Sequence, residues 1–197
     1  DHANYAIYSN YSKSIIHDSD FNLTYSYAFT FYDDYGLELM NNDITNSSRL
    51  FNYYFLYSDE GYYTTISGNE FNCPFGHLNN HNSSSGADTL IFTDNIVSGS
   101  YYYNHFRTYN NQYTLIKNNQ FLIGVRFGDY DESIFRNNYV NNSTQLNSNS
   151  RPTIENNIFQ SGSMNFGVNN GAASIAYNTF VSYSNLDDSD APIGLGT

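Results

Sequence analysis

The sequence predicts an all-β fold of stacked coils, and three observations carry this prediction. First, one short phrase, with apolar residues at its first and sixth positions and a small polar residue at its fourth, recurs along the chain. Second, alternating apolar strands accompany its copies. Third, the 197 residues include 21 Tyr, 15 Phe and 31 Asn but only 3 Pro. This much aromatic material favours a packed core over disorder.

The repeated phrase occurs eight times, with Asn at its fourth position in seven copies. The copies begin at Ile16, Leu39, Ile66, Phe92, Ile116, Phe135, Ile154 and Ile175. Their fourth positions are Ser19, Asn42, Asn69, Asn95, Asn119, Asn138, Asn157 and Asn178. The steps between these positions are 23, 27, 26, 24, 19, 19 and 21 residues, a period typical of solenoid proteins.

Each copy of the phrase is interpreted as a tight corner between two short strands. Asn tolerates the left-handed backbone conformation that such a corner needs. Its side-chain amide can also bond to the Asn of the next coil, so stacked coils would form an asparagine ladder. A helical interpretation fails, because the copies lack the i, i+3, i+4 spacing of apolar residues. We therefore expect one ladder Asn per coil, with Ser19 in the same column.

A second set of alternating apolar segments completes each coil. Its clearest members are Phe29-Thr30-Phe31, Phe55-Leu56-Tyr57, Phe106-Arg107-Thr108, Val125-Arg126-Phe127 and Phe166-Gly167-Val168. Three strands per coil make a triangular prism, which is a parallel β-helix. The sequence thus predicts one domain over residues 1–197, with about eight coils in a repeat region of about 5–183.

The phrase and its accompanying strand resemble the right-handed parallel β-helix repeats of the pectate-lyase-like superfamily. The repeat is most similar to that of the copper-protein and sugar-hydrolase type. The bias toward Asn, Tyr, Ser and Asp resembles the adhesin-like surface proteins of methanogenic archaea most. This resemblance implies a right-handed parallel β-helix from a longer surface protein. Solenoid ends expose strand edges, so we also expect flanking domains or end-to-end self-association.

The resemblance leaves several functions open, because enzymes, adhesins and phage tailspikes share this fold. Polygalacturonase-like members carry four motifs; Asp33-Asp34 is an Asp-Asp pair, but the other three motifs do not occur here. Arg151-Pro152 matches one fragment of a pectate-lyase motif without its flanking residues. We therefore expect a non-catalytic, adhesin-like module that binds glycan or another cell surface, with no catalytic residue assigned. The alternatives are a polysaccharide lyase or glycoside hydrolase, and a tailspike-type receptor-binding protein.

Charge and composition limit which binding partners and which cellular location we expect. Seven Lys+Arg face nineteen Asp+Glu, a formal net charge of −12. Such a surface repels phosphate backbones, so we expect no nucleic-acid partner. No apolar run approaches 18 residues, so we expect no membrane insertion in this segment. Cys73 is the single cysteine and allows no internal disulfide. An acidic surface module of this kind is expected outside the cell, at the cell surface.

An acidic file is predicted just beyond the alternating strands. Its members are Asp33, Asp59, Asn110, Asp129 and Asn170, with Asp34, Glu60, Asp131 and Glu132 beside them. Oxygen ligands at this density suit Ca²⁺, which would be held by Asp33, Asp59, Asp129 and Asp131. Paired carboxylates also suit glycosidic hydrolysis, and solvated turns favour the same residues. These three interpretations stay open, and no other cofactor is expected.

The resemblance also implies where a ligand would bind, because related enzymes carry their groove on the sheet of these alternating strands. The outward positions there are predicted to be Thr30, Leu56, Arg107, Arg126 and Gly167. Arg107 and Arg126 would bind an acidic sugar, with Asp33, Asp59, Asp129 and Asp131 along the edge. An ion pair with Asp129 or Asp131 is the alternative role for either arginine.

Two further residue types have predicted locations. His77 and His81 are expected in an extended loop, as surface histidines without a third metal ligand. Asn-x-Ser/Thr sequons, the acceptors of N-linked glycan in an exported chain, occur at Asn10, Asn22, Asn46, Asn82, Asn141 and Asn142.

Overall fold

The computed structural model describes most of the repeat region of the chain. The described residues are 5–23, 27–32, 36–46, 56–59, 63–73, 77–79, 89–99, 105–109, 113–128, 132–148, 152–168, 174–181 and 183–187. Every regular element within these ranges is a β-strand, and the strands fall on three faces of a prism, here called faces A, B and C.

On faces A and B, each strand comes from a different coil. The strands of face A are β1 (Tyr5–Asn10), β4 (Tyr27–Tyr32), β7 (Leu56–Asp59), β10 (His77–Asn79), β13 (His105–Tyr109), β16 (Gly124–Gly128), β19 (Thr144–Ser148), the second half of β21 (Ile158–Val168) and β24 (Tyr183–Asp187). The strands of face B are β2 (Lys13–His17), β5 (Gly36–Met40), β8 (Tyr63–Ser67), β11 (Thr89–Thr93), β14 (Tyr113–Lys117), β17 (Glu132–Arg136), β20 (Thr153–Glu155) and β22 (Ser174–Ala176).

Face C holds the strand that follows each ladder residue. Its strands are β3 (Asp20–Leu23), β6 (Asp43–Asn46), β9 (Glu70–Asn72), β12 (Ile96–Ser98), β15 (Gln120–Phe121), β18 (Tyr139–Asn141), the first half of β21 and β23 (Thr179–Phe180). The long strand β21 runs from face C into face A and joins these two faces into one sheet.

Each strand pairs in parallel with the strand at the equivalent place in the next coil. The predicted parallel β-helix is therefore confirmed. No helix long and apolar enough to cross a bilayer occurs in the part of the chain that the structure describes.

The core is a column of side chains from all three faces. On β11 the alternation of the strand buries Leu90 and Phe92, while Ile91 stays half-buried on the outside. Phenylalanine rings stack along the interior, with centroids 5.3–6.3 Å apart, in the order Phe71, Phe92, Phe121, Phe135, Phe159 and Phe180. Each ring between Phe71 and Phe180 contacts the ring of the coil before it and of the coil after it, so the core continues from coil to coil.

The ladder residues link coil to coil at the corner between faces B and C. The ladder is formed by Asn42, Asn69, Asn95, Asn119, Asn138, Asn157 and Asn178. From Asn42 to Asn157, each residue donates its backbone N–H and its Nδ2–H to the Oδ1 of the next ladder residue, at 2.8–3.1 Å. Each Nδ2 also donates to a backbone carbonyl one coil back, as Asn138 does to Ile116 at 3.0 Å. These bonds satisfy amides that are 98–99 % buried between Asn42 and Asn157.

Ser19 begins the ladder without a side-chain amide. Its backbone N–H donates to Asn42 Oδ1 at 3.1 Å, as a ladder Asn would. Its Oγ donates to the carbonyl of His17 at 2.9 Å, where Asn42 uses Nδ2 toward Met40. Ser19 therefore reproduces the backbone bond and one side-chain bond of a ladder residue, and it lacks the side-chain bond to the next coil.

The expectation that the ladder Asn itself takes the left-handed conformation was wrong. The residue before it does so, with φ between 53° and 70°, at Asp18, Asn41, Gly68, Asp94, Asn118, Asn137, Asn156 and Tyr177. These third positions are exposed, and the N–H of each of the first seven donates to a carbonyl one coil further on. The sharp bend at the third position leaves the fourth side chain directed inward, where its amide meets the next coil.

Polar side chains at these third positions form a second, exposed set of bonds. Asn118 Nδ2 donates to Asp94 Oδ1 at 3.0 Å, and Asn137 Nδ2 donates to Asn118 Oδ1 at 3.3 Å. In the first coil, a hydrogen bond with His17 and a second from Asn41 hold the pKa of Asp18 below its ordinary value. Because these groups face solvent, their bonds contribute less to stability than the buried ladder.

Candidate functional site

On face A, one continuous file of Cα partners consists of polar and aromatic residues from successive coils. Register pairs Tyr8 with Thr30 and Thr30 with Tyr57, then His77 with Arg107 and Arg107 with Arg126, then Arg126 with Gln145, Gln145 with Asn165 and Asn165 with Asp187. Leu78 pairs with Ser58, which sets His77 level with Tyr57. We call these nine residues the A-face file.

Two positions of the file lie between fully buried strand neighbours. Phe29 and Phe31 flank Thr30, and Phe106 and Thr108 flank Arg107. Since strand residues alternate between the two sides of a sheet, these four neighbours belong to the inner side of face A.

Arg126 is the member of the file whose side-chain contact is best defined. It is half-buried, and its Nε donates to Gln145 Oε1 at 2.6 Å, one coil further on. An arginine offers five N–H donors in a planar fork, and this bond orients the guanidinium. Arg107 is its Cα partner on the preceding coil, which brings two arginine positions together on this face.

Of the five predicted outward positions, only Arg126 has a described side chain, and it is half-buried. The register places Leu56 and Gly167 outside the file. Leu56 pairs with the buried Phe29, whereas the next residue, Tyr57, pairs with Thr30. Gly167 pairs with Asn147, while Asn165, two residues earlier, continues the file after Gln145.

Of the four predicted Ca²⁺ ligands, Asp33, Asp59, Asp129 and Asp131, the structure describes only Asp59. Asp59 is the last residue of β7, paired with Tyr32, rather than a residue beyond the strand. Asp33, Asp129 and Asp131 lie outside the described residues, as do Asp34, Glu60, Asn110 and Asn170. Within the described ranges, no group of three or more His, Cys, Asp or Glu side chains is arranged to hold a metal ion.

The sequons lie in several environments. Asn10, Asn22 and Asn142 are exposed, and Asn141 is half-buried. Asn46 ends β6, and Asn82 lies outside the described residues. Exposure at the first three positions leaves room for a glycan.

Sequence reasoning missed six of the nine members of the A-face file, namely Tyr8, Tyr57, His77, Gln145, Asn165 and Asp187. His77 was expected in a loop but belongs to the short strand β10, and Tyr57 and Gln145 were not assigned to the file. The signal for Gln145 is the alternation around Leu146, which lies 19 residues after Phe127. The ladder steps from Asn119 to Asn138 and from Asn138 to Asn157 have the same length. For His77 only three strand residues are present, which is too few for alternation to identify a strand.

Comparison of the chain with protein-family models, with curated proteins and with solved structures found no match. The parallel β-helix is therefore established by the strand pairing of the chain itself, and function has to be argued from the side chains on its faces.

Proposed function

We propose that this chain is a non-catalytic extracellular surface module, of the adhesin-like kind that its repeats resemble, and that face A binds an acidic glycan. The observation that carries the proposal is the register of His77, Arg107 and Arg126 on three successive strands of one file. Only seven Lys and Arg occur in the chain, and two of them are Cα partners on neighbouring strands of this face. Positively charged residues are therefore concentrated there.

The length of the A-face file favours a polymer over a small molecule. Parallel strands lie about 4.8 Å apart, so nine positions span about 38 Å. The file continues beyond the arginines, where Gln145 offers an amide for sugar hydroxyls. Tyr8, at the other end and 54 % exposed, offers a ring face and a hydroxyl, which suits a sugar.

Binding of acidic polysaccharides, followed on an array or by biolayer interferometry, tests the proposal. We expect saturable binding that weakens with salt and that falls about tenfold in the double variant Arg107→Ala with Arg126→Ala, roughly the loss of two exposed charge contacts. The matched control is Lys13→Ala, which removes an exposed cation from face B and should leave binding unchanged.

Two results would overturn this proposal. One is unchanged binding in the double variant while its circular dichroism stays that of the wild type. The other is release of reducing or unsaturated sugar from the same polysaccharides, with or without Ca²⁺, which would replace a binding module with a hydrolase or lyase.

A further inference from the structure

Face B carries two positive side chains in direct register. Lys117 ends β14 and Arg136 ends β17, and their Cα atoms are partners on neighbouring parallel strands. Strands are about 4.8 Å apart, and like charges directly opposite each other are destabilising. Two cations at adjacent positions are unexpected in a chain of net charge −12, in which acidic residues outnumber basic ones.

The ion pairs of the described residues offset only part of this charge. Arg136 Nη2 pairs with the Glu155 carboxylate one coil further on. Lys13 on the same face pairs with Glu38. Across the described ranges Lys117 belongs to no ion pair, and its Cα partner on the other side is the neutral Thr93. The ammonium of Lys117 therefore stands beside a guanidinium that already has one carboxylate.

A file of aliphatic side chains lies next to the two cations. Ile91, Leu115 and Ile134 are consecutive partners on β11, β14 and β17, two residues before Thr93, Lys117 and Arg136 respectively. All three aliphatic residues are half-buried on the outer side, because their strand neighbours point into the core. Two residues along a strand cover about 7 Å, so the cationic and aliphatic groups lie within the reach of one sugar ring.

We propose that Lys117 and Arg136 form an anion subsite for a carboxylated or sulfated sugar, whose ring packs on Leu115 and Ile134. Lys117 provides a compact charge with rotatable donors, and Arg136 provides planar paired donors suited to an oxyanion. The aliphatic pair covers the apolar side of the ring. The subsite is independent of the A-face file, because its residues lie on a different face of the prism.

The test is an NMR titration of the ¹⁵N-labelled chain with glucuronate, sulfate and glucose in turn. We expect saturable shifts of the backbone amides of 115–117 and 134–136 with glucuronate and with sulfate, and none with glucose. Lys117→Gln should weaken both anions about fivefold, the loss of roughly one exposed charge contact. Leu115→Ala should weaken glucuronate but not sulfate, since only glucuronate has a ring to pack.

Lys13→Gln is the matched control, because it removes the same charge from the same face at a distance from the subsite. It should leave both affinities unchanged. Absence of saturable shifts, or equal weakening by Lys13→Gln and Lys117→Gln, would overturn the subsite. Equal weakening of glucuronate and sulfate by Leu115→Ala would overturn the packing of the ring.

Discussion

Asn138 donates both its backbone N–H and its side-chain Nδ2–H to Oδ1 of Asn157, at 2.8 and 3.1 Å. One carbonyl oxygen thereby holds two donors of the neighbouring coil, and the same relationship recurs from Asn42 to Asn178. Both groups are buried, so neither can turn to water if its partner is lost. The ladder therefore fixes the relative position of successive coils at one corner.

Replacement of Asn138 by Ala should lower the free energy of unfolding by about 3–4 kcal/mol. The variant leaves two donors of Asn119 and the carbonyl of Ile116 without their partner, and each buried orphan costs about 1–3 kcal/mol. Urea denaturation followed by circular dichroism measures the change. Asn22→Ala, an exposed position on face C, is the control and should change stability by about 0.5 kcal/mol or less. Equal losses in the two variants would contradict the role of the ladder.

Ser19→Asn should raise the free energy of unfolding by about 0.5–1.5 kcal/mol, the usual net value of one added hydrogen bond. The new Nδ2 can replace the Ser19 Oγ bond to the His17 carbonyl and add a bond to Asn42 Oδ1. Ser19→Ala, which loses the bond to His17 and gains nothing, should lower stability. The prediction fails if the Asn variant melts below the wild type.

Gly99→Ala should lower the free energy of unfolding by about 2 kcal/mol or more. A Cβ at this position would lie 2.3 Å from the backbone carbonyl oxygen of Cys73, and the φ of +145° is disfavoured for residues with a side chain. Gly36→Ala is the matched control, because its nearest neighbour would be 3.5 Å away and its φ is ordinary for a strand. Thermal denaturation of both variants checks the difference, and similar melting temperatures would contradict it.

Burial raises the pKa of the Cys73 thiol above its ordinary value. The unfolded thiol loses its proton above about pH 8.5, whereas the folded thiol keeps it, so the unfolded state binds fewer protons there. This stabilising contribution is complete below the unfolded pKa and declines as pH rises above it. Wild type should therefore lose more stability than Cys73→Ala between about pH 8 and 10. Urea denaturation across that range measures the difference, and identical slopes would show that the thiol titrates normally.

Accessibility of the thiol gives a second measurement for the same residue. Because Cys73 is free and buried, a chromogenic disulfide reagent should react with it slowly in buffer and rapidly in urea. Fast reaction in the native state would contradict the burial.

Much of the fold could be predicted from the sequence because the repeat acts locally. The spacing of Asn42, Asn69 and Asn95 identified the coils, and the apolar residues before and after each Asn identified two of the three faces. Strands of period two bury alternate residues wherever they occur, so Phe92 and Phe121 were recognisable as core residues without knowledge of their neighbours.

Which residues share a face of the prism depends on the register between coils, and local sequence patterns do not determine that register. Leu56 and Tyr57 are both suitable strand residues, and pairing with Phe29 and Thr30 decides which of them belongs to the A-face file. His77 has a place in the A-face file only because β10 pairs with β13. The physical reason is the two-residue period of a strand: a shift of one residue, which a connecting segment of unequal length permits, exchanges the buried and exposed sides. Composition and period thus determined the coils and their ladder, and strand pairing determined which side chains share a face.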